Sequence, residues 1–330
     1  MTGTRCYVNG GTSNRELWLT DPGHLAAELR MATTTNECCK VYNMLKLTRH
    51  LYQWHADPRY FDYYERTLFN HRLGTIHPET GGTMYFLGLN PGSYKTFSSE
   101  SGSFWCCTGS GVEEFSKLND SIYFHDDIGV FVNLFVASEL NWTEKSLRLR
   151  QMTKFPEQAG TSLLLDPARP VQLTLRIRVP WWATRGGSVR LNGRALDVFA
   201  SPGSYLVLSR TWRKGDRVDV EMPMGLYTEG MPDDATMRAV LYGPLVLVGE
   251  LGRVDPAAEK IFGVQGQRDK SNQNPLPVLK GDPAKPENWL KPVPQQPLTF
   301  RTDGQVADRT LLPLYRVLDQ KYTVYWTMPG

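Results

Sequence analysis

The sequence predicts a multidomain α+β protein in which helices come first and sheets follow. Three observations carry this. Apolar residues recur at helical spacing between about residues 36 and 73. From about Ile122 onward the pattern becomes short alternating or continuous apolar runs bounded by turn residues. Strands and helices do not alternate, and no repeat period is visible, so a parallel βαβ architecture is not expected. At 330 residues the chain can hold two or three cores. The expected division is a helical part over 1–122, a first β-sandwich over 123–227 and a second over 228–330.

The first helix is expected over 36–55, with Val41, Met44, Leu45, Thr48, Leu51 and Tyr52 on one face and Asn36 as its N-cap. Asp57-Pro58 reads as the N-cap and first residue of a second helix, whose buried face holds Tyr60, Phe61, Tyr64, Leu68 and Phe69. Gly74 is its natural stop. A Gly/Pro/Ser-rich loop is expected over 81–103, with a short strand at Met84-Tyr85-Phe86 and a short helix from Gly111 to Leu118. Strands follow at 129–137, 171–179, 205–209 and 217–222, and Asn192-Gly193 marks a hairpin turn. Within 171–179, Leu173, Leu175, Ile177 and Val179 alternate with polar partners, so one face is expected to be buried. The last section adds apolar runs around Gly243-Pro244, and long loops are expected over 255–298.

Composition excludes some functions. The formal net charge is only +3, from 37 basic and 34 acidic residues, and no Lys/Arg run suggests a nucleic-acid or anionic-membrane partner. No apolar stretch approaches the ~20 residues of a membrane span. The opening MTGTRCYVNGG lacks a secretory leader and reads as the interior of a longer protein, so compartment and oligomeric state are not legible here. Nine Trp and fifteen Tyr provide flat faces that suit sugar, although cores use them equally.

The cysteines carry more information. Cys6 stands alone, while Cys38-Cys39 and Cys106-Cys107 form adjacent pairs. An odd count in adjacent pairs is a poor disulfide framework, because neighbouring cysteines bond only with strain. Glu37 and Cys39, at a helix start, and Cys106 with Cys107, before another, make a set of three sulfurs and one carboxylate that suits zinc. Two other readings stay open at this point: cysteines as small core residues, and a purely structural zinc. Cys38 is expected to be buried and inert, and Cys6 has no assigned role. His71 and His77 lie near enough in sequence to contact substrate, and Trp105, Trp181 and Trp182 could stack on sugar or pack in a core.

The segments NECCKVYNMLKLTRHLYQW, YFDYYERTLFN, SFWCCTGSGVEEFSKL and GVFVNLFVASELNW closely resemble the β-L-arabinofuranosidases of glycoside hydrolase family 127 and its relatives, including family 146. The resemblance runs from Gly10 to the closing RVLDQKYTVYW. It implies the C-terminal part of an (α/α)6 toroid followed by two β-sandwich domains. It implies Zn2+ held by Glu37, Cys39, Cys106 and Cys107, with Cys106 as the nucleophile. Glu16, in GGTSNRELW, falls at the family's general acid/base position; Glu65 and Tyr85 fall at substrate-binding positions. The implied activity is retaining hydrolysis of terminal β-L-arabinofuranosides from arabinose-containing plant glycans, which favours a periplasmic or secreted setting.

Family members carry a long helical segment ahead of the point matched by Gly10, and several of their sugar contacts come from it. Thr108-Gly109 replaces a Pro-containing version found in the best-known members, so another furanose or an acidic sugar is the alternative substrate. A zinc-binding carbohydrate-binding or structural protein without turnover is the alternative of a different class.

Overall fold

A computed structural model describes residues 3–31, 34–254 and 274–329 as a mixed α+β, sheet-rich chain. Four α-helices are present among these residues: α1 (Leu25–Met31), α2 (Cys38–Trp54), α3 (Pro58–Asn70) and α4 (Cys106–Lys117). Helix α3 starts as expected, with Asp57 accepting the Arg59 amide at 2.9 Å. Asn36 does not cap α2. Its φ of 57° places it outside the helix, and its side-chain amide instead donates to Leu87 O at 3.2 Å. The first α2 amide, that of Cys38, is satisfied by the carbonyl of Tyr85 at 2.9 Å. Gly74 is not the stop for α3, which ends at Asn70; Gly74 lies within a following 3-10 turn, Arg72–Thr75.

Two further expectations are corrected. Met84-Tyr85-Phe86 forms no strand; isolated bridges at Thr83 and Phe86 tie this segment to Ile76 and Glu37. Helix α4 begins at Cys106 rather than Gly111, so the second cysteine pair occupies its first turn. Gly109 and Gly111 lower local helix propensity and hid that start. Gly111 is needed for a close approach, since a Cβ there would collide with the Thr83 side chain.

The chain forms two compact units. One comprises Thr48–Asp62 and Lys117–Gly225. It contains a four-stranded sheet in the order β1 (Tyr123–His125), β2 (Gly129–Val132), β6 (Val171–Val179), β9 (Ser204–Trp212), with β2 and β6 parallel. Its other sheet has the order β3 (Ser138–Trp142), β4 (Leu147–Met152), β5 (Gly160–Pro167), β10 (Asp216–Glu221), β7 (Ser188–Leu191), β8 (Arg194–Leu196). The expected run 129–137 therefore contains one strand that ends at Val132. Asn192 and Gly193 turn β7 into β8 with φ of 52° and 80°, the left-handed pair that a two-residue hairpin needs. Strand β6 spans the expected 171–179, but Arg178 on its polar face is buried.

The other unit comprises Met1–Leu47, Tyr63–Ser116 and Leu226–Gly330. Its sheet runs β11 (Leu226–Met231), β12 (Asp234–Tyr242), β13 (Leu245–Arg253), β16 (Thr310–Pro313), β15 (Phe300–Thr302), β14 (Leu290–Pro292). To this, β17 (Gln320–Thr323) adds on β13 and β18 (Tyr325–Thr327) on β12. The long loops expected over 255–298 fall partly outside the described residues, and β14 occupies part of the remainder. One apolar core joins Tyr7, Leu25 and Leu29 to Ala239, Leu241, Val246, Val248 and Tyr322 of this sheet. Cys38 and Cys107 are buried in that core, and Cys39 and Tyr85 pack against it. The same apolar burial that stabilises the unit, at about 25 cal/mol per Å2, thus fixes the floor beneath both cysteine pairs.

Candidate active site

Both cysteine pairs sit on the first turn of a helix: Cys38-Cys39 on α2 and Cys106-Cys107 on α4. Helix starts expose amides and carry the positive end of the dipole, which favours thiolate. The Cys39 amide points at Cys107 Sγ from 3.3 Å, so the start of α2 solvates a sulfur carried by α4. Cys106 Sγ and Cys107 Sγ are 3.9 Å apart, and Cys107 Sγ lies 3.9 Å from Glu37 Oε1. Ser110 Oγ donates to Cys39 Sγ at 3.1 Å. The ligand atoms of Glu37, Cys39, Cys106 and Cys107 all lie within 4.8 Å of one another, a group that could hold a metal ion.

Without an ion the four groups share protons. The hydrogen bond from Cys107 draws Cys39 down to about 6, helped by Ser110 and opposed by burial. Cys107 is pushed well up, first by donating to Cys39 and then by burial. Burial also raises Cys106, and it lifts the Glu37 carboxyl to about 7 with the Cys39 and Glu16 charges adding to it. Cys39 is thus favoured as the thiolate, while burial disfavours charge on its neighbours. A cation placed among them would displace those protons.

Beneath the cluster, Arg72 and Glu114 form an ion pair with both side chains buried. Arg72 also donates to Cys38 O at 3.3 Å, which ties the start of α2 and the C-terminal half of α4 to one guanidinium. His71 is fully buried, with Nε2 3.4 Å from Asn36 O and Nδ1 3.4 Å from Arg72. Both of its ring nitrogens thus face groups of the core. His77 accepts the Glu79 and Thr80 amides in a turn and stands edge-on to Phe97 at 5.0 Å.

Glu16 and Tyr85 are brought to the cluster. Tyr85 Oη donates to Glu16 Oε1 at 2.5 Å and accepts from Cys106 Sγ at 3.6 Å, so the tyrosine oxygen bridges carboxylate and sulfur. Glu16 and Cys106 are exposed, whereas Cys107 is buried. The Gly10-Gly11 pair ahead of Glu16 is required by close packing: a Cβ on Gly10 would meet Thr67 of α3, and one on Gly11 would meet Asn36. Glu65 lies fully buried in the middle of α3. Cys38 is buried, and burial pushes its thiol up to about 12; Cys6 rises to about 11 for the same reason. The Trp105 ring stands edge-on to Tyr85 at 6.2 Å, while Trp182 stacks on Phe155 at 5.8 Å as a packing residue of the other unit.

Sequence reasoning missed Ser110, Arg72 and Glu114. Ser110 and Glu114 follow Cys107 at helical offsets of three and seven, a signal that was usable once α4 was known to start at Cys106. Arg72 gave no signal, because its partners lie 34 and 42 residues away.

The sequence profile of the GH127 β-L-arabinofuranosidase catalytic domain matches residues 1–120, and that of the GH127 middle domain matches residues 129–224. A domain of unknown function, DUF4986, matches residues 227–328. No curated protein matches. Among solved structures, a GH127 β-L-arabinofuranosidase from Geobacillus stearothermophilus T6 superposes with a TM-score of 0.73 at 18% identity, over 99% of this chain and 55% of that one. A glycoside hydrolase gives 0.72 at 17% identity, over 99% and 60%. A GH127 β-arabinofuranosidase gives 0.71 at 20%, over 99% and 54%. The chain thus spans between half and two thirds of the length of these structures. Two profiles of one family cover most of the chain, and GH127 folds underlie nearly all of it: the chain belongs to the GH127 β-L-arabinofuranosidase family.

Proposed function

We propose that this chain carries the reactive centre of a retaining glycoside hydrolase that removes terminal β-L-arabinofuranosyl residues from plant-type glycans, with Cys106 as nucleophile and Glu16 as general acid/base. The observation that carries the reading is the convergence of Glu37, Cys39, Cys106 and Cys107, with Glu16 linked to Cys106 through a single tyrosine oxygen. The donor set fits zinc. Tetrahedral ligation at a Zn–S length of about 2.3 Å requires sulfurs about 3.8 Å apart, and Cys106 and Cys107 stand at 3.9 Å. When bound, zinc would supply the positive charge that keeps the Cys106 sulfur ionised at neutral pH and lets it depart again.

The chain's own residues account for the remaining chemistry. The two hydrogen bonds at Tyr85 cap the Glu16-to-Cys106 separation at about 6 Å, below the ~6.5–9.5 Å of inverting enzymes and compatible with the ~5–5.5 Å of retaining ones. The Cys106 sulfur attacks the anomeric carbon while Glu16 protonates the departing glycosidic oxygen. A glycosyl thioether on Cys106 results, and Glu16 is left as carboxylate. Glu16 then takes a proton from water, the water oxygen attacks the anomeric carbon, and Cys106 leaves as thiolate. Tyr85 holds the Glu16 carboxyl toward the sulfur between these steps. Glu65 would bind sugar hydroxyls in this reading, and the arabinose-containing glycan would set a periplasmic or secreted location.

The test is native mass spectrometry before and after incubation with a β-L-arabinofuranosyl epoxide. One zinc and one adduct mapped to Cys106 are expected, and Cys106→Ser should lose both adduct and turnover. Zinc without adduct would favour a binding protein without turnover or a different sugar. No zinc would overturn the ligand assignment.

A further inference from the structure

The loop that carries Glu16 is held in a conformation it would not adopt alone. Ser13, Arg15 and Glu16 have φ of 79°, 50° and 65°. Left-handed backbone costs a non-glycine residue about 1–2 kcal/mol, so three such residues in four positions need outside support.

The base of the loop has that support. Asn14 and Leu17 exchange backbone hydrogen bonds at 2.8 and 2.9 Å, and the Arg15 amide donates to Thr34 O at 2.9 Å. Buried Glu28 accepts the Leu19 and Thr20 amides at 3.0 and 3.3 Å.

The tip is held differently. Lys40 Nζ donates to the Glu16 carbonyl at 2.9 Å and sits 4.7 Å over the Trp18 ring. The Arg5 guanidinium lies 5.3 Å from the same ring, and Trp18 Nε1 donates to Thr12 Oγ1 at 2.9 Å. Lys40 follows Cys39 in the first turn of α2. One side chain therefore spans from the helix start that carries Glu37 and Cys39 to the main chain of the residue whose carboxyl meets Tyr85.

We propose that Lys40 is a positioning residue: its ammonium, seated on Trp18, latches the Glu16 loop to the start of α2 and holds the Glu16 carboxyl at proton-transfer distance from the leaving oxygen. The functional half of this inference rests on the reading of Glu16 as acid/base. The mechanical half rests on the contacts alone. A long side chain with a donor at its tip is required, so arginine can replace lysine and methionine cannot.

Two measurements on the full chain test it. In hydrogen exchange, Lys40→Met should speed exchange at the Asn14, Arg15 and Leu17 amides, leave the interior of α2 unchanged, and Lys40→Arg should restore protection. Unchanged exchange at these three amides overturns the latch whatever the activity. In kinetics, kcat/KM for an alkyl β-L-arabinofuranoside, which needs a proton on its leaving oxygen, should fall about tenfold or more in Lys40→Met. A dinitrophenyl glycoside, which leaves without help, should lose less than about threefold, because only the acid-catalysed part of the barrier is affected. Equal losses on both glycosides would reduce Lys40 to a stabilising residue and overturn the positioning role. Faster loop exchange in Lys40→Met, with a wild-type chain that cleaves neither glycoside, would support the latch and overturn the glycosidase reading instead.

Discussion

Each of the two units buries an arginine ion pair, and the surroundings of the two pairs differ. Arg72 pairs with Glu114 of α4, and its remaining contacts are Cys38 O, at the start of α2, and His71. Arg178 pairs with Asp62 at 2.6 Å, donates to Asn133 O at 2.7 Å and lies 5.9 Å from the Phe135 ring centre. Those partners belong to the unit that holds the four- and six-stranded sheets. Left-handed residues also fall in two kinds of place. Ser146 ends a 3-10 turn and Asn192 makes a hairpin, where the chain direction itself demands a positive φ. Ser13, Arg15, Glu16 and Asn36 take that conformation around the cysteine cluster, where side-chain placement demands it. The cysteine-bearing unit also has Gln295 and Leu298, with φ of 61° and 62°, in the loop between β14 and β15, so the conformation serves chain reversal in both units and surrounds the site only in this one.

The comparison breaks most visibly at the arginines. Arg72→Met should cost about 3–5 kcal/mol of unfolding free energy, because it leaves the buried Glu114 carboxylate without its cation, and Arg178→Met less, because Asp62 is only partly buried and also accepts the Trp181 amide at 3.3 Å. Metal affinity, read by chelator competition, should fall about tenfold or more in Arg72→Met and stay within about twofold in Arg178→Met. Equal losses of affinity would erase the distinction between a site support and a scaffold pair.

A smaller effect is expected at Lys95, buried with its ammonium 2.9 Å from Leu314 O. Burial pushes it down to about 7, well below an unfolded lysine near 10.4. The unfolded chain then binds more protons between these values, so stability should rise with pH across that window, and the cost of Lys95 is greatest below pH 7. Lys95→Met removes this cost but leaves the Leu314 carbonyl with the Val317 amide alone, at 3.3 Å. Net stabilisation of about 1–2 kcal/mol at pH 6, fading toward pH 10, is expected from denaturant titrations. A difference independent of pH would show that Lys95 is not titrating as stated.

The smallest effects sharpen the backbone comparison. Ser146→Gly and Arg15→Gly should each stabilise by less than about 1 kcal/mol by relieving a left-handed residue. Ser146→Gly should leave turnover unchanged, whereas Arg15→Gly should lower it by loosening the Glu16 loop. Identical turnover in both variants would remove the functional reading of that loop's strain.

Legibility followed the range of the interaction. Strand β6 and the Asn192-Gly193 hairpin were readable because period-two burial and left-handed turn residues act over a few positions. The start of α4 was not, because Gly109 and Gly111 argue locally against a helix while the approach of Gly111 to Thr83 argues for one. The buried side of β6 was half legible: its alternating leucines marked one face, but Arg178 on the other is covered because Asp62 and Asn133 pair with it.

By itself the sequence determined the chemical identity of the donors, the helix starts that hold the first pair, and the order of helices before sheets. Thiolate affinity for a cation is a property of residue type, and periodicity is written along the chain. Only the tertiary structure decided that Glu37 and Cys107, 70 residues apart, stand 3.9 Å from each other, that Tyr85 bridges Glu16 to Cys106, and that Lys40 holds the Glu16 carbonyl. Such approaches are set by how close-packed elements settle on a shared core, to which every apolar contact contributes and which no local pattern encodes.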